Sequence, residues 1–237
     1  MMKNFIIYLV FASASLVSCH ELLFNGDDET RDIALGNFHA VQFSGIYNIV
    51  LIQDSTDRLV INGKNDIFSI NCTIRDDTLT IDDHKKRYFN PNRNTLYFHF
   101  RDVKFIACND PVNLSNRDTV KADTLVLYAI GEIAEVRMVI KCNYFGVVND
   151  ANTLGYLHFK GTTDGCWIWD RYGSSMYADS LQCRYASVYN QSVGDISINA
   201  SDNLDVYFKG PGNIYYRGDP VINIREQRGT GKLIRMD

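Results

Sequence analysis

Proline is scarce in this chain of 237 residues, which contains only 4, and no stretch after residue 19 sustains the apolar period of a helix. The absence of that period excludes helical bundles and coiled coils as the fold. With so few prolines, most turns must be made by glycine, asparagine and aspartate, which tolerate the backbone conformations of tight turns. These residue types do separate the short apolar runs of the chain.

Positive charge is also limited, because 24 lysine and arginine residues stand against 28 aspartate and glutamate residues and the net charge is −4. The basic residues form no stripe interleaved with aromatic residues along the sequence. Such a stripe is typical of proteins that bind the phosphate backbone. The sequence therefore predicts neither nucleic acid nor an anionic lipid surface as a partner.

The six cysteines show no paired C-x-x-C spacing, and no histidine follows them at the offset of a zinc site. We expect no metal and no other cofactor. Cys19 belongs to an N-terminal motif, and the remaining cysteines are an odd set, so one thiol at least stays unpaired in a monomer. They are predicted to be small buried apolar residues, with a disulfide between neighbouring strands as the alternative. They are Cys72, Cys108, Cys142, Cys166 and Cys183.

The N-terminus has the plan of a secretory signal: one cation, Lys3, is followed by an apolar stretch from Phe5 and then by small residues up to Cys19. The run is shorter than the roughly 20 apolar residues of a membrane-spanning helix, which leaves a spanning anchor or a buried strand as the weaker alternatives. Its last four residues, 16–19, resemble a bacterial lipobox. That resemblance implies that residues 1–18 are removed and that Cys19 carries the lipid that holds the protein on a membrane.

Residues 19–32 are predicted to be a solvated tether, because they contain a glycine and the acidic cluster Asp27-Asp28-Glu29. In some Gram-negative lipoproteins an acidic patch after the lipidated cysteine is a surface-export signal, which this cluster loosely resembles. A charged linker without further function is the alternative.

Short alternating or β-branched runs, such as residues 46–52, 59–61 and 96–100, predict an all-β fold. In the second half a Gly or Asn recurs at constant spacing, at positions 131, 152, 173 and 194, and Gly212 follows slightly early. Further strands are predicted in the back half of most units, at residues 145–149, 167–170, 186–190 and 205–209.

Units of about 20 residues with two short strands cannot bury an apolar face alone, so stacking them is the physical solution. The sequence therefore predicts a parallel β-helix-like solenoid of short strands, clearest over residues 131–220. A sandwich of antiparallel hairpins is the alternative, but it gives no reason for a turn glycine at constant spacing.

The end of the chain, residues 210–220 and then Gly229-Thr230-Gly231-Lys232-Leu233, resembles the closing motif of the head GIN-domain, putative auto-transporter adhesin family. Residues 38–41 and 45–53 resemble the opening hairpins of that family. The resemblance covers residues 33 to 234, which are predicted to be a single domain with β-hairpin rungs at its N-terminus. It implies an extracytoplasmic β-helical domain of Gram-negative bacteria, often lipid-anchored. We therefore expect an outer-membrane lipoprotein of the cell envelope, with surface exposure as a further option.

No catalytic set emerges from the sequence, and the protein is predicted not to be an enzyme. The nearest candidates are the turn carboxylates Asp150, Asp170 and Asp195, which do not share a fixed register, and aspartate is common at turns for backbone reasons alone. The cations in the same region are Lys160, Arg171 and Arg184.

Strand alternation predicts that Trp167 and Trp169 share one face, with Tyr189 and Tyr207 at comparable positions of the next two units. If these rings point outward, they form a rigid patch that suits sugar rings or a protein partner; if they point inward, they are core. The sequence thus favours an adhesin or binding module with a glycan or protein ligand. A structural or assembly component of the envelope and, less favoured, a polysaccharide-active enzyme are the alternatives.

Overall fold

The structure is a computed structural model and describes residues 29–63, 67–83, 94–130, 133–150 and 155–237. The predicted signal peptide and Cys19 lie outside these residues. Among the described residues no helix is long and apolar enough to span a membrane. A single 3₁₀ turn, Ile67–Ser69, interrupts the described strands, which are β1 (Glu29–Ala34), β2 (Ala40–Ser44), β3 (Tyr47–Gln53), β4 (Arg58–Gly63), β5 (Ile70–Arg75), β6 (Thr78–Asp83), β7 (Asn94–Phe100), β8 (Phe105–Cys108), β9 (Val112–Asn116), β10 (Val120–Ala129), β11 (Ile133–Asn149), β12 (Tyr156–Asp170), β13 (Ser175–Asn190), β14 (Ile196–Phe208), β15 (Ile214–Arg217), β16 (Val221–Gln227) and β17 (Leu233–Arg235).

The strands stack in parallel into a β-solenoid of about 6 turns, which confirms the predicted fold. Two parallel stacks run along it. Sheet A contains β7, β3, β9, the first halves of β11 to β14, then β15 and β17. Sheet B contains β6, β2, β8, β10, the second halves of β11 to β14, then β16. One strand segment from each sheet makes a rung.

The core is built from columns of inward side chains, in which register partners on successive rungs contact one another. One column of sheet B is entirely aliphatic and fully buried, and its members are Leu127, Val147, Ile168, Val188 and Val206. Alternate residues along each strand therefore face the interior, as the pleat requires. The back-half strands predicted from the sequence are the sheet B segments, and they continue the sheet A segments without a break in β11 to β14.

The first rungs do not stack in chain order. Strand β2 pairs with β6 on one side and with β8 on the other, and β3 pairs in the same way with β7 and β9. The rung made by β2 and β3 is therefore enclosed between two rungs that follow it in sequence. The chain must leave this rung, build the outer one and cross back, which a simple repeat would not predict.

Antiparallel strands cover the N-terminal end of the solenoid. Strand β4 pairs with β7 and β1 pairs with β4, while β5 pairs with β6 through a turn in which Asp76 and Asp77 have φ of 46° and 63°. Positive φ at both central residues is what a type I′ hairpin requires. These hairpins agree with the hairpin rungs expected for this end. Strand β1 includes residues 29–32, so the described domain begins earlier than the tether boundary expected at residue 32.

Stacking of one turn on the next explains two of the recurring turn glycines, Gly194 and Gly212, whereas positions 131 and 152 of the predicted repeat lie outside the described residues. A Cβ atom on Gly194 would lie 2.0 Å from the carbonyl oxygen of Ser174, and a Cβ atom on Gly212 would lie 2.0 Å from that of Gly194. The backbones of successive turns touch, so no side chain fits between them. Glycine recurs here because of this close approach.

The repeat is less regular in space than in the sequence. Asn149, Asp170, Asn190 and Phe208 are register partners on four successive rungs, and the stretch of chain that joins each to the next becomes shorter along the series. Register shifts between β12 and β13 and between β13 and β14 absorb the differences. The constant spacing of the turn residues therefore does not extend to every rung.

Candidate ligand-binding face of sheet B

Four aromatic side chains form a continuous ladder on the outer surface of sheet B. Trp169, Tyr189 and Tyr207 are register partners on three successive rungs, and Trp167 lies beside them on the rung of Trp169. All four are half-buried, whereas Ile168 and Val188, on the opposite side of the same strands, are fully buried. The alternative that these rings belong to the interior of the solenoid is therefore wrong. Their role as a ligand patch stays a prediction.

The rings of the ladder contact one another in different ways. Tyr189 and Tyr207 stack with their centroids 3.9 Å apart and their planes 8° apart, so each covers one face of the other. Trp169 is 6.4 Å from Tyr189, and the two planes differ by 51°. The Tyr207 hydroxyl, through a hydrogen bond, together with partial burial raises the pKa of Tyr189 to about 12. Tyr189 therefore stays neutral at physiological pH.

Trp169 is enclosed by its neighbours. The guanidinium carbon of Arg171 lies 4.3 Å from the centre of the Trp169 ring, and Asp150 holds that guanidinium at 3.2 Å. The indole Nε1 is buried and has no hydrogen-bond partner among the described residues. The contacts of Trp169 therefore join two rungs of the solenoid.

Trp167 is half-buried, as Trp169 is, but its neighbours differ. It packs beside Gly146 of the preceding rung, where a Cβ atom would lie 3.7 Å from Trp167 Cε3. It meets Tyr189 edge to face, at 6.3 Å and 74°. Within the described part of the chain, neither a parallel ring nor a guanidinium covers it. Trp167 is therefore the ring of the ladder that is best placed to stack against a ligand.

The carboxylates that the sequence suggested as catalytic candidates make structural contacts. Asp150 pairs with Arg171, and Asp195 Oδ1 accepts a hydrogen bond from the backbone N–H of Asn213 at 2.7 Å. Arg184 pairs with Asp202 at 3.1 Å. Each of these contacts fixes a turn or joins two rungs, and none of them aligns an acid with a base.

Asp170 faces the interior and is fully buried in a polar column between Asn149 and Asn190. Asn149 Nδ2 donates a hydrogen bond of 2.7 Å to Asp170 Oδ1, while Oδ2 has no partner that meets normal hydrogen-bond geometry among the described residues. Burial raises the pKa of this carboxyl, against the opposing effect of its hydrogen bonds. Asp170 is thus a buried structural group at the end of β12.

A polar groove runs along the corner where the long strands pass from sheet A to sheet B, and we call it the corner groove. Five rungs contribute to it, and its volume is about 890 Å³. Its lining includes the buried residues Cys142, Thr163 and Cys183 and exposed polar residues on either side of them. The exposed residues include Lys121, Asp123, Lys141, Asn143, Thr162, Asp164, Gln182 and Arg184.

Tyrosines border the corner groove on the side of sheet B. Tyr144 and Tyr185 are 40% and 45% exposed, and both are register partners of Gly165, which lies between them. Gly165 is two residues before Trp167, so the groove and the aromatic ladder adjoin. The sequence reasoning missed the groove because its residues come from different rungs, and only an alignment of the rungs brings them together.

A second aromatic group that sequence reasoning missed lies on the outer face of sheet A. Tyr177 stacks against His158, with ring centroids 4.7 Å apart, and lies 6.4 Å from Tyr156. Tyr156 is 55% exposed. This group provides an internal comparison for experiments on the ladder.

The five cysteines within the described residues are free thiols, and all except Cys72 are buried. Burial raises the pKa of the Cys108 thiol to about 12, so this thiol is unreactive at neutral pH. The described residues contain no cluster of three or more His, Cys, Asp or Glu side chains that could hold a metal ion.

The model of one protein family, described as putative auto-transporter adhesin, head GIN domain, matches residues 37–220. The chain belongs to this family. The match covers most of the described solenoid, including the ladder and the corner groove, and it confirms the resemblance seen in the sequence. No curated protein matches the chain.

Solved structures of low sequence identity share the fold. A putative adhesin from Bacteroides fragilis has a TM-score of 0.76 at 20% identity, over 88% of this chain and 97% of its own. A putative adhesin from Parabacteroides distasonis has a TM-score of 0.67 at 17% identity, over 90% of this chain and 98% of its own. A protein from the same organism that is named a putative lipid binding protein has a TM-score of 0.64 at 18% identity, over 90% and 98%.

Proposed function

We propose that this member of the adhesin family is a binding module of the bacterial cell envelope, and that it holds an extended glycan or a protein partner on the outer face of sheet B. The observation that carries the proposal is the outward-facing ladder, in which Arg171 covers the ring of Trp169, while neither a guanidinium nor a parallel ring covers Trp167 among the described residues. Aromatic side chains contribute a large contact area at low entropic cost, because they have few rotatable bonds.

The solenoid supports this function by holding the ladder rigid. Trp167, Trp169, Tyr189 and Tyr207 lie on three neighbouring strands that are paired along most of their length. Successive rungs are about 4.8 Å apart. The outer face therefore presents side chains at a regular spacing along the solenoid axis, which suits a ligand made of repeating units. A surface that is already ordered loses little conformational entropy when it binds.

The experiment is a glycan and extracellular-matrix array probed with residues 20–237, in wild-type form and as Trp167→Ala. We expect the variant to keep its melting temperature and to lose about tenfold in affinity, because stacking of aromatic rings contributes roughly 0.5 to 1.5 kcal/mol beyond the apolar area that is buried. Tyr156→Ala is the matched control, since it removes an exposed ring from the outer face of sheet A.

Loss of binding in the Tyr156 variant instead would assign the site to sheet A and contradict the proposal. If the wild type bound nothing on the array but co-purified with another envelope protein, a structural or assembly role would replace it. Release of products from a polysaccharide panel would instead support the enzyme alternative.

We further propose that the protein is exported and anchored in the outer membrane through lipid on Cys19, with the residues before Glu29 as the tether. The lipobox-like residues 16–19 and the membership in an adhesin family support this location. Several acyl chains on one cysteine hold a protein on a bilayer durably, whereas a single chain does not.

Labelled palmitate should be incorporated into the wild-type protein in its host and not into a Cys19→Ser variant. A Cys72→Ser variant is the matched control and should be labelled normally. Labelling of the Cys19 variant would disprove the anchor without affecting the proposed binding face.

A further inference from the structure

Two lysines of the corner groove lie side by side on adjacent rungs. Lys121 of β10 and Lys141 of β11 are register partners, and both side chains are exposed. Neither makes an ion pair with a carboxylate among the described residues. Adjacent strands are about 4.8 Å apart, and like charges on neighbouring strands repel. The solenoid therefore keeps two unneutralised positive charges together in a protein whose net charge is −4.

The positive charge extends to the next rung. Lys160 of β12 pairs in register with Val139, two residues before Lys141, and it is exposed and likewise without an ion pair among the described residues. The three lysines thus form a diagonal row across β10, β11 and β12. Each lysine comes from a different rung, so the row exists only in the folded chain.

The other charges of the corner groove are largely matched within it or beside it. Asp123 Oδ1 accepts a hydrogen bond of 3.2 Å from Asn143 Nδ2. Arg184 pairs with Asp202 at 3.1 Å and is also influenced by the charge of Asp164. The lining of the groove thus carries three cations, Lys121, Lys141 and Arg184, against two carboxylates, Asp123 and Asp164, and the two lysines are the cations of this lining without an ion pair among the described residues.

From these lysines the groove extends along β12 toward Trp167. Thr162, the register partner of Lys141, is five residues before Trp167 on β12, which is about 16 Å along an extended strand. Thr162, Thr163 and Asp164 line the groove, and beyond them the ring of Tyr144 lies against Gly165, where a Cβ atom would be 3.2 Å from Tyr144 Cδ2. A short oligosaccharide that follows this path would meet cations at one end, hydroxyl and carboxylate groups in the middle and an aromatic ring at the other end.

We infer that the corner groove binds an acidic glycan, whose carboxylate or sulfate groups pair with Lys121 and Lys141 while a sugar ring stacks on Trp167. The inference rests on the proposed function and names the ligand class for it. Acid groups would relieve the repulsion between the two lysines, and hydroxyl groups along the sugar chain match the polar side chains of the groove.

The test compares each acidic polymer with a neutral counterpart: polygalacturonate with its methyl ester, and dextran sulfate with dextran. Affinity is measured by gel retardation over a series of NaCl concentrations. We expect tight binding of at least one acidic polymer, weak binding of its neutral counterpart and a loss of affinity as the salt concentration rises. The two pairs distinguish carboxylate from sulfate as the recognised group.

The variant is Lys121→Gln/Lys141→Gln, and the charge-matched control is Lys104→Gln/Lys232→Gln, which removes two exposed lysines elsewhere. Melting temperatures check that both fold. We expect the groove variant to lose about tenfold or more in affinity for the acidic polymer, because hydrogen bonds between charged groups are stronger than those between neutral ones. The control should bind like the wild type.

Equal binding of acidic and neutral polymers, or equal losses in the two double variants, would overturn the inference. If the wild type bound neutral glycans alone and Trp167→Ala abolished that binding, the inference would fail and the proposed function would stand. If neither Trp167→Ala nor the groove variant changed any binding, both would fail.

Discussion

A cluster of buried phenylalanines in the first rungs can be compared with the aromatic ladder on the outer surface of the later rungs. Phe38, Phe43, Phe98 and Phe100 pack together at ring distances of 5.6 to 5.7 Å and are at most 4% exposed. The ladder of Trp167, Trp169, Tyr189 and Tyr207 makes ring contacts of 3.9 to 6.4 Å on the outer surface of sheet B. Contacts between aromatic rings therefore stabilise the interior in one region and form a surface in the other.

The comparison shows that the residue type of a ring is related to whether the ring lies inside the solenoid or on its surface. The four inner rings are phenylalanines, which have no polar atom to satisfy, whereas the ladder is made of tryptophans and tyrosines, which have a polar group at one end. At the depth of the ladder, the interior of the later rungs is filled by small and aliphatic residues such as Ala186 and Val188. Phe145, Phe159 and Phe208 are buried in these rungs as well, so rings without a polar group lie inside while the tryptophans and tyrosines of the ladder lie outside.

Phe98→Ala should have the largest effect on stability. Phe98 is fully buried and contacts the rings of Phe38, Phe43 and Phe100, so its removal leaves a cavity that costs about 3 to 5 kcal/mol. For a chain of this size the melting temperature should fall by about 2 to 4 °C for each kcal/mol. A fall no larger than that of a surface variant such as Tyr156→Ala would show that the inner cluster is not the core of this region.

Trp169→Ala should have an intermediate effect and should separate the two tryptophans of the ladder. It removes the contacts with Arg171 and Tyr189, and we expect a loss of roughly 1 to 2 kcal/mol of stability in denaturant unfolding. Trp167→Ala should change the stability much less. The reverse order would mean that Trp167 is the structural ring and would remove the basis for placing the ligand there.

Asp170→Asn should have the smallest effect, and its sign depends on pH. Because burial raises the pKa of Asp170, its neutral form stabilises the fold fully below the ordinary aspartate pKa. That stability is lost as the pH rises through the raised value. The amide cannot ionise, so the variant should be more stable than the wild type at pH 7, by about 1 kcal/mol, and this advantage should shrink on acidification.

Melting temperatures of both proteins between pH 3 and pH 8 measure this difference. Asp195→Asn is the control, because Asp195 is an exposed turn residue whose Oδ1 accepts one backbone hydrogen bond. A difference for Asp170→Asn that stays constant with pH would contradict a buried, ionisable role.

Much of the fold could be predicted because its signals are local. Alternation indicated which residues of a strand share a face, as it did for Trp167 and Trp169, and the recurring glycines at 194 and 212 marked turns that stack closely. The order of the first rungs could not be predicted in this way. Pairing of β2 with both β6 and β8 depends on contacts between residues far apart in the chain.

The candidate site was only partly visible in the sequence for the same reason. Trp167, Trp169, Tyr189 and Tyr207 could be grouped by their similar places in successive units. Lys121 and Lys141 could not, because Lys121 precedes the regular repeat that begins at residue 131 and no recurring residue marks its register. An error of one residue in register moves a side chain to the opposite face of the sheet.

The sequence by itself determined that this protein is a stack of short parallel strands with close glycine turns, because strand alternation and turn chemistry act over a few residues. The tertiary structure alone decided that the ladder faces outward, that an early rung is enclosed by later ones and that lysines from β10, β11 and β12 meet beside a groove. Those features arise from the packing of distant rungs, where the register between strands sets the position of each side chain.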